Sequence, residues 1–233
     1  MEKLVGKSIG LIGRKVGMTQ IFSEKGVLVP VTVLQAGPCT VVQKRGRTKD
    51  GNDAVQVGFD PIVKKRGANK PAAGHFKKAG VAPQRVLREF RGMAPGEFEL
   101  GQEIKADVFK IGEMVDVVGV SKGKGFQGGV KRHGFRGGAG SHGSMFHRAP
   151  GSIGASSYPS RVFPGQRLPG HMGVDRVTVR NLKVLKIDSE NHLLLVKGAV
   201  PGANGGYVVI RKAVAAKPEP QPQLQEKPKK GKK

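Results

Sequence analysis

Polar and apolar residues alternate strictly along Arg176-Val177-Thr178-Val179-Arg180. Because successive side chains of a strand point to opposite faces, this pattern predicts a β-strand whose arginines face outward and whose valines face a core. Other segments rich in Val, Ile, Leu and Thr, separated by turns rich in Gly, Pro and Asn, predict further strands. The predicted strands are Leu28–Leu34, Cys39–Gln43, Ala54–Phe59, Met114–Val120, Arg176–Ile187, Leu193–Val196 and Tyr207–Arg211. Several short strands of this kind predict a mainly β protein built around a closed barrel.

The net charge limits the kinds of partner that the chain can bind. Its 233 residues carry 41 Lys and Arg against 17 Asp and Glu, which gives a formal net charge of +24. This excess argues against an enzyme that handles neutral metabolites and predicts a polyanionic partner. The single cysteine, Cys39, excludes an intrachain disulfide and a multi-cysteine zinc site, and it fits a reducing compartment. No apolar run approaches the ~18 residues of a membrane span, and the first residues lack the features of a signal peptide, so no membrane partner is expected.

The most unusual segment lies between Asp116 and Asp175. Residues 117–174 contain eight basic and no acidic side chains, 15 of the 36 glycines and four of the six histidines. Ordering the backbone costs about 1–2 kcal/mol per residue, and more for glycine. Apolar residues occur singly and no carboxylate is available for ion pairs, so RNA phosphates are the expected source of compensating interactions. The alternative is a disordered basic linker, which the distinct sequence motifs of the segment and the strands at both its ends disfavour.

The candidate RNA-binding residues are the cationic and imidazole side chains of this segment, together with a basic cluster upstream. They are Lys122, Lys124, Lys131, Arg132, His133, Arg136, His142, His147, Arg148, Arg161, Arg167 and His171, with Lys64, Lys65 and Arg66 upstream. Five glycines would let the backbone approach RNA closely. These are Gly123, Gly125, Gly128, Gly151 and Gly154. The upstream cluster belongs to Val63–Lys78, which is either a second RNA-facing arm or a solvated basic surface.

Two further elements are predicted from composition. A helix is expected over Pro83–Arg91, because Pro83 suits a first turn and Val86, Leu87 and Phe90 would share one helical face. The tail, residues 214–233, consists largely of Pro, Gln and Lys and is expected to be disordered, because it has almost no apolar residues to bury.

Three patterns resemble catalytic or metal-binding motifs but lack the residues that would complete them. Gly123-Lys124-Gly125-Phe126-Gln127-Gly128 matches G-x-G-x-x-G, yet the next carboxylate is Asp175, far beyond the position of a ribose-binding acid. The histidine spacing matches no compact zinc site, and the serines lack an acidic partner for nucleophilic catalysis. We therefore expect no enzyme activity, catalytic residue, metal, cofactor or small-molecule substrate. A histone-like DNA-binding protein is the alternative function.

Several sequence motifs lie between residues 9 and 213. The longest consists of Phe109, Asp116, Gly119, Ser121, Gly123, Lys124, Gly125, Gly128 and Arg132. The other motifs are GRKVGMT at 13–19, GHF at 74–76, HRAPGSIG at 147–154 and LLVKGAVPG at 194–202. In this order and in these forms, the motifs resemble those of the ribosomal protein L3 family of the large subunit, in its bacterial or organellar type.

The resemblance implies a translation-factor-type β-barrel with an internal extension and a structural role in the ribosome. Residues 1–120 and 171–213 would form the barrel, with a basic insertion at about 60–92. Residues 121–170 would thread through 23S-type rRNA toward the peptidyl transferase centre, with the tip at Ala155, Ser156, Ser157, Tyr158 and Pro159. The protein would bind rRNA early in subunit assembly, in the cytoplasm, beside the fourteenth and nineteenth large-subunit proteins.

Three features depart from the family pattern. Ser157 stands where some relatives carry a methylated Gln, so that modification is not expected. His133 stands where many relatives carry an aromatic residue, which argues against a stacking role at this position. The tail after Val214 has no counterpart in the pattern.

Overall fold

The computed structural model describes residues 10–63, 67–91, 93 and 95–214. The predicted RNA-binding residues Lys64, Lys65 and Arg66 lie outside the described residues, as do residues 215–233 of the predicted tail. The described elements are, in chain order, β1 (Gly10–Phe22), β2 (Leu28–Ala36), β3 (Cys39–Arg45), α1 (Arg47–Asp50), β4 (Ala54–Pro61), α2 (Lys70–Ala79), β5 (Gln84–Arg91), the 3-10 helix η1 (Pro95–Glu97), β6 (Glu103–Ile104), the 3-10 helix η2 (Ala106–Val108), β7 (Met114–Val120), β8 (Gly125–Gln127), α3 (Gly129–His133), β9 (Gly170–Met172), β10 (Arg176–Asp188), β11 (Leu193–Lys197) and β12 (Tyr207–Lys212).

Six antiparallel strands close into a barrel in the order β1-β12-β7-β10-β11-β2. The mainly β prediction is confirmed, and all seven predicted strands are present. Each begins at the predicted residue and ends at most two residues later than predicted. Alternate side chains of these strands fill the barrel interior, and Leu34, Val117, Leu194 and Ile210 are fully buried there.

The sequence reasoning missed strand β1, which closes the barrel between β12 and β2. Three glycines within β1 reduce its resemblance to a strand, since glycine is depleted in strand interiors. The structure gives Gly13 a packing reason, because a Cβ there would overlap the carbonyl oxygen of Gln35 and lie 3.4 Å from the Cα of Ala36. The glycine therefore permits β1 and β2 to approach closely where the barrel closes.

A second antiparallel sheet, in the order β5-β4-β3-β6, lies between β2 and β7 in the chain and packs against the barrel. Its apolar side chains belong to the same hydrophobic cluster as the barrel core. Phe90 on β5 is 2% exposed, and a Cβ on Gly10 of β1 would overlap its ring. The sheet is therefore anchored on the barrel by direct contact between an aromatic ring and a strand backbone.

The helix predicted over Pro83–Arg91 is wrong, because Gln84–Arg91 forms strand β5. Residues four apart, such as Val86 and Phe90, share a face in a strand as well as in a helix, so the apolar spacing does not separate the two structures. In the structure β5 pairs with β4, where Val86 lies opposite Phe59 and Phe90 lies opposite Val55. This pairing satisfies the backbone groups and buries the apolar side chains together.

The insertion does contain a helix, α2, but it overlaps the basic segment Val63–Lys78 rather than following it. The side chain of Asn69 accepts a hydrogen bond from the backbone N–H of Ala72, which caps the first turn. Gly80 ends the helix in the left-handed conformation, with φ of 68°. Among the helices that the structure describes, none is long and apolar enough to span a membrane.

The segment from Arg176 to Arg180 forms the first part of β10, and both arginines are exposed as predicted. The expectation that its valines face the core is wrong for Val177, which is 39% exposed. Val177 lies opposite Gly119 on β7, and glycine has no side chain to cover it. Along β10, the only fully buried side chain is that of Val184.

Candidate nucleic-acid interface

The acid-free segment leaves the barrel between β7 and β10, and its two ends are joined at the root. The backbone N–H of Ser121 donates to the carbonyl of Asp175 at 2.8 Å, and the N–H of Asp175 donates to Ser121 Oγ at 3.1 Å. Gly173 has φ of 84°, and a Cβ there would lie 2.9 Å from the Cα of Gly123. Strands β8 and β9 then continue the pairing outward. We call residues 121–170 the extension.

Helix α3 and the chain returning to the barrel form the first layer of the extension. Arg132 Nη1 donates to the carbonyl of Leu168 at 2.7 Å, and His133 Nε2 hydrogen-bonds to the same oxygen at 3.0 Å. The ring of Phe135 packs on Gly129, where a Cβ would lie 2.7 Å from it. Two of the predicted RNA-binding residues, Arg132 and His133, therefore have partners within the chain that hold the returning segment in place.

Further out, residues 137–147 form a loop closed by backbone contacts. The N–H of Gly138 donates to the carbonyl of His147 at 3.1 Å, and His147 Nδ1 hydrogen-bonds to the carbonyl of Ala139 at 2.8 Å. A Cβ on Gly138 would overlap the carbonyl oxygen of Phe146 and lie 2.8 Å from its ring. Glycine at this position is therefore required by the close approach of the two sides of the loop.

The distal part of the extension has little internal packing. From Ala149 to Gln166, hydrogen bonds join residues two or three positions apart, as in Gln166 N–H to the carbonyl of Phe163 at 3.3 Å. The predicted tip is exposed at Ala155, Ser156, Ser157 and Tyr158 and partly buried at Pro159. Its apolar side chains remain in solvent, including Tyr158 at 90% and Phe163 at 52% exposure. The distal segment therefore lacks an apolar core of its own.

The basic and imidazole candidates of the extension, with His171 just beyond it, are largely exposed to solvent. The exposed residues are Lys122, Lys124, Lys131, Arg132, Arg136, His142, His147, Arg148, Arg161, Arg167 and His171, and His133 is partly buried. The ion pairs found among the described residues join carboxylates to cations that all lie outside the extension. Arg161 instead stacks over the ring of Phe163 at 5.1 Å, and His171 Nε2 hydrogen-bonds to the carbonyl of Gly173 at 3.0 Å.

Positive charge also accumulates where the extension meets the barrel. Lys15 Nζ donates to the carbonyls of Val200 and Gly202 at 2.7 and 3.2 Å. Burial, and secondarily the positive charge of Lys122, lower the pKa of Lys15 below its ordinary value. Lys15 thus lies close enough to Lys122 to feel its charge, and two neighbouring lysines at the root of the extension favour an anionic partner.

The five glycines predicted to approach RNA occupy different environments. No atom lies within 4 Å of the position that a Cβ would take on Gly125 or Gly128, so the backbone there is open. Gly151 and Gly154 have φ of 86° and 145°, values that favour glycine for conformational reasons alone. A Cβ on Gly123 would lie 3.1 Å from Val174 Cγ2.

Comparison with known proteins identifies the family. A family model described as Ribosomal protein L3 matches residues 92–193. Large ribosomal subunit protein uL3 of Pelotomaculum thermopropionicum is 58% identical over 208 residues, which cover 89% of this chain and 98% of that relative. The uL3 of Solibacter usitatus is 59% identical, over 88% and 99% of the two chains. The uL3 of Geobacillus stearothermophilus is 55% identical, over 89% and 97%. The chain belongs to the ribosomal protein L3 family.

The part matched by the L3 family model includes the whole extension and both strands from which it leaves the barrel. The motif Gly123 to Gly128, which resembles a dinucleotide-binding turn, lies here at the root of the extension. It is followed by α3, a helix of five residues with no side-chain cap. In the part of the chain that the structure describes, no group of three or more His, Cys, Asp or Glu side chains could hold a metal ion.

Basic residues on the barrel itself were not among the predicted site residues of this L3-family chain. Arg176, Arg180 and Arg211 are exposed and line one surface groove, and Arg176 lies at the root of the extension. The strict alternation in residues 176–180 was the available signal, because it placed both of its arginines outward. That Arg211 lies on the same side of the barrel as these two arginines could not be predicted, because it depends on the order of the strands.

Proposed function

We propose that this chain is a structural constituent of the large ribosomal subunit that binds 23S-type rRNA directly through its extension. Membership of the L3 family makes it a component of the large subunit, which in bacteria lies in the cytoplasm. The observation that supports direct binding is the extension itself, whose lysines and arginines are exposed and whose distal apolar side chains have no core to enter. Such a segment needs an external partner that is negatively charged and has a fixed structure on which the segment can order.

In this proposal the extension orders on rRNA. Its Lys and Arg side chains neutralise phosphates and release counterions, while its imidazoles donate hydrogen bonds to phosphate or ribose oxygens. The open backbone at Gly125 and Gly128 lets RNA approach closely. The barrel stays at the subunit surface, and the tip, residues 155–159, reaches deepest, toward the peptidyl transferase centre. Binding would occur early in assembly, beside the fourteenth and nineteenth large-subunit proteins.

The proposed role is architectural. The side chains involved position and neutralise RNA rather than react with it, so the mechanism requires no catalytic residue, cofactor, metal or small-molecule substrate. The loop closed by Gly138 and the contacts of Arg132 with Leu168 pre-form part of the path that the extension follows.

The first test measures affinity of the full chain for large-subunit rRNA across salt concentrations, with duplex DNA as competitor. If the extension makes ~6 to 10 phosphate contacts, affinity should fall by roughly 10³ to 10⁵ between 50 and 200 mM salt. A flat salt response would contradict the proposal. Preferential binding of duplex DNA would favour a histone-like protein instead.

The second test assigns binding to the extension. A triple variant, Lys124→Gln with Arg136→Gln and Arg148→Gln, removes three exposed charges that make no ion pair within the described structure. Its control removes the same charge from exposed lysines outside the extension, namely Lys25→Gln, Lys186→Gln and Lys197→Gln. The extension variant should lower the salt slope by about three, since each phosphate contact contributes about one. Equal behaviour of the two variants would argue against the extension as the binding element.

A further inference from the structure

A groove of about 590 Å³ lies on the outer surface of the barrel, between strand β5 and the outward face of β10, β7 and β12. Val118 on β7 lies between Thr178 on β10 and Val209 on β12 in the sheet register, and Val118 is 7% exposed. The residues that line the groove are Glu89, Phe90, Arg91, Asp116, Val118, Arg176, Thr178, Arg180, Arg211, Lys212 and Val214. The groove therefore has a partly apolar floor with cationic side chains around it.

Of the two acidic residues of the groove, Glu89 is paired with arginines, whereas Asp116 accepts a backbone hydrogen bond and keeps its charge. Glu89 pairs with Arg45 at 3.0 Å and with Arg91 at 3.9 Å, and Asp116 Oδ1 accepts the backbone N–H of Asn181 at 2.9 Å. Lys212 pairs with Glu113 at 3.0 Å.

Three arginines of the groove remain available. Arg176, Arg180 and Arg211 are exposed, and none of them has a carboxylate partner within the described residues. The Arg211 guanidinium lies 5.7 Å from the centre of the Phe90 ring, which orients it without neutralising its charge. A guanidinium held in this way matches phosphate geometry well.

The spacing of the arginines selects for an extended anion. Arg176 and Arg180 are four residues apart on one strand, so about 13 Å separates their Cα atoms. Two arginines whose Cα atoms are this far apart suit separate charges along an extended chain better than one small anion. A phosphodiester backbone carries such charges, and its ribose can lie against the partly apolar floor of the groove.

The groove is continuous with the root of the extension. Arg176 directly follows Asp175, whose backbone bonds with Ser121 fix the point where the extension leaves the barrel. At the other end, Val214 lines the groove, and the chain continues from it into residues 215–233, which contain six Lys and two Glu. Positive charge therefore runs along the sequence on both sides of the groove.

We propose that this groove is a second RNA-binding site, in which Arg176, Arg180 and Arg211 hold the phosphodiester backbone of a single RNA segment. The inference rests on the proposed function, because it assigns to the same RNA a contact outside the extension. The site takes RNA as its ligand class, and the groove and the extension bind adjacent parts of one RNA surface.

The test compares three forms of the full chain for binding to large-subunit rRNA between 50 and 200 mM salt. The groove variant carries Arg176→Gln, Arg180→Gln and Arg211→Gln, and the control carries Lys25→Gln, Lys186→Gln and Lys197→Gln. The groove variant should bind about 10- to 100-fold more weakly, with a salt slope lower by about three, while the control stays within about threefold of the unchanged chain. Urea unfolding of each form verifies that the barrel remains folded.

Each other outcome separates the two proposals. If the groove variant binds like the control while the extension variant loses affinity, the groove proposal is overturned and the proposed function stands. If the unchanged chain does not bind rRNA, both are overturned. If the groove variant keeps rRNA affinity but loses binding of polyglutamate, the groove holds an acidic peptide and the RNA assignment is wrong.

A measurement on the unchanged chain removes any dependence on variant folding. Modification of arginines by p-hydroxyphenylglyoxal, quantified by mass spectrometry, should be slowed at Arg176, Arg180 and Arg211 when rRNA is bound. Arg85, which is exposed and outside the groove, serves as the internal reference. Equal modification of the three groove arginines with and without rRNA would overturn the proposal.

Discussion

Replacing Gly138 with alanine should weaken rRNA binding while leaving the barrel stable. The added Cβ would overlap the carbonyl oxygen of Phe146 and lie 2.8 Å from its ring, so the two sides of the loop must separate. That separation also stretches the hydrogen bond from Gly138 N–H to the carbonyl of His147, now 3.1 Å. Steric insertion of this kind costs on the order of 1–3 kcal/mol.

The cost falls on the extension alone, because the contacts of Gly138 with Phe146 and His147 are made within the extension. If the bound extension keeps the loop, affinity for rRNA should fall by about 5- to 150-fold, since each ~1.4 kcal/mol corresponds to a factor of ten. The midpoint of urea unfolding, which reports the barrel, should not change. Affinity is measured by fluorescence anisotropy of labelled rRNA at fixed salt.

Gly140→Ala is the matched control. It adds the same methyl group to the same loop, but no atom lies within 4 Å of the new Cβ, so affinity should be unchanged. Equal affinities of the Gly138→Ala and Gly140→Ala variants would refute the reasoning, because the loop closure would then be irrelevant to binding. A lowered urea-unfolding midpoint for Gly138→Ala would contradict the claim that the loop contributes nothing to the stability of the barrel.

Three further predictions concern the barrel and its attached sheet. Tyr207→Phe should lower the free energy of unfolding by about 1.5 kcal/mol, because it removes the 2.6 Å hydrogen bond from Tyr207 to the Asp60 carboxylate. In urea unfolding, a loss that persists undiminished in an Asp60→Ala background, which has no acceptor, would contradict this pairing. Phe90→Ala should lower the free energy of unfolding by about 3–5 kcal/mol in the same assay, because Phe90 is buried. Phe126 is exposed, so Phe126→Ala should leave the free energy of unfolding almost unchanged. Similar losses for the two variants would contradict the burial argument. Burial raises the pKa of the Cys39 thiol from 9.0 to about 12, so its contribution to stability is complete below pH 9 and is lost as pH rises toward 12, at up to about 1.4 kcal/mol per pH unit. A Cys39→Ala variant should lack this component, and parallel stability curves for the two proteins between pH 8 and 11 would disprove it.

Strands whose residues alternate, or whose composition is rich in β-branched residues, could be predicted from the sequence. Met114–Val120 has the predicted bounds, because Val side chains there meet both the core and the neighbouring strands. Strand β1 could not be predicted, since its glycines reflect close approach to Gln35 and Phe90, which are distant in sequence. The helix expected at Pro83–Arg91 failed for a related reason, because pairing with β4 overrides a local pattern that suits either structure.

The candidate interface was predictable to the extent that composition determines it. The absence of carboxylates from residues 117–174 depends on no structure, and the exposure of the cations follows from it. The contacts of Arg132 and His133 with Leu168 could not be predicted, because they join residues 35 or more positions apart through a backbone carbonyl. The groove beside Phe90 likewise arises from the strand order of the barrel.

Hydrogen–deuterium exchange on the full chain, free and bound to large-subunit rRNA, tests most directly whether the extension takes its order from RNA. In the free chain, amides of residues 149–166 should exchange at nearly unprotected rates, while those of β7 and β10 should be strongly protected. Binding of rRNA should slow exchange across residues 149–166. Strong protection of this segment in the free chain, equal to that in the complex, would contradict the account.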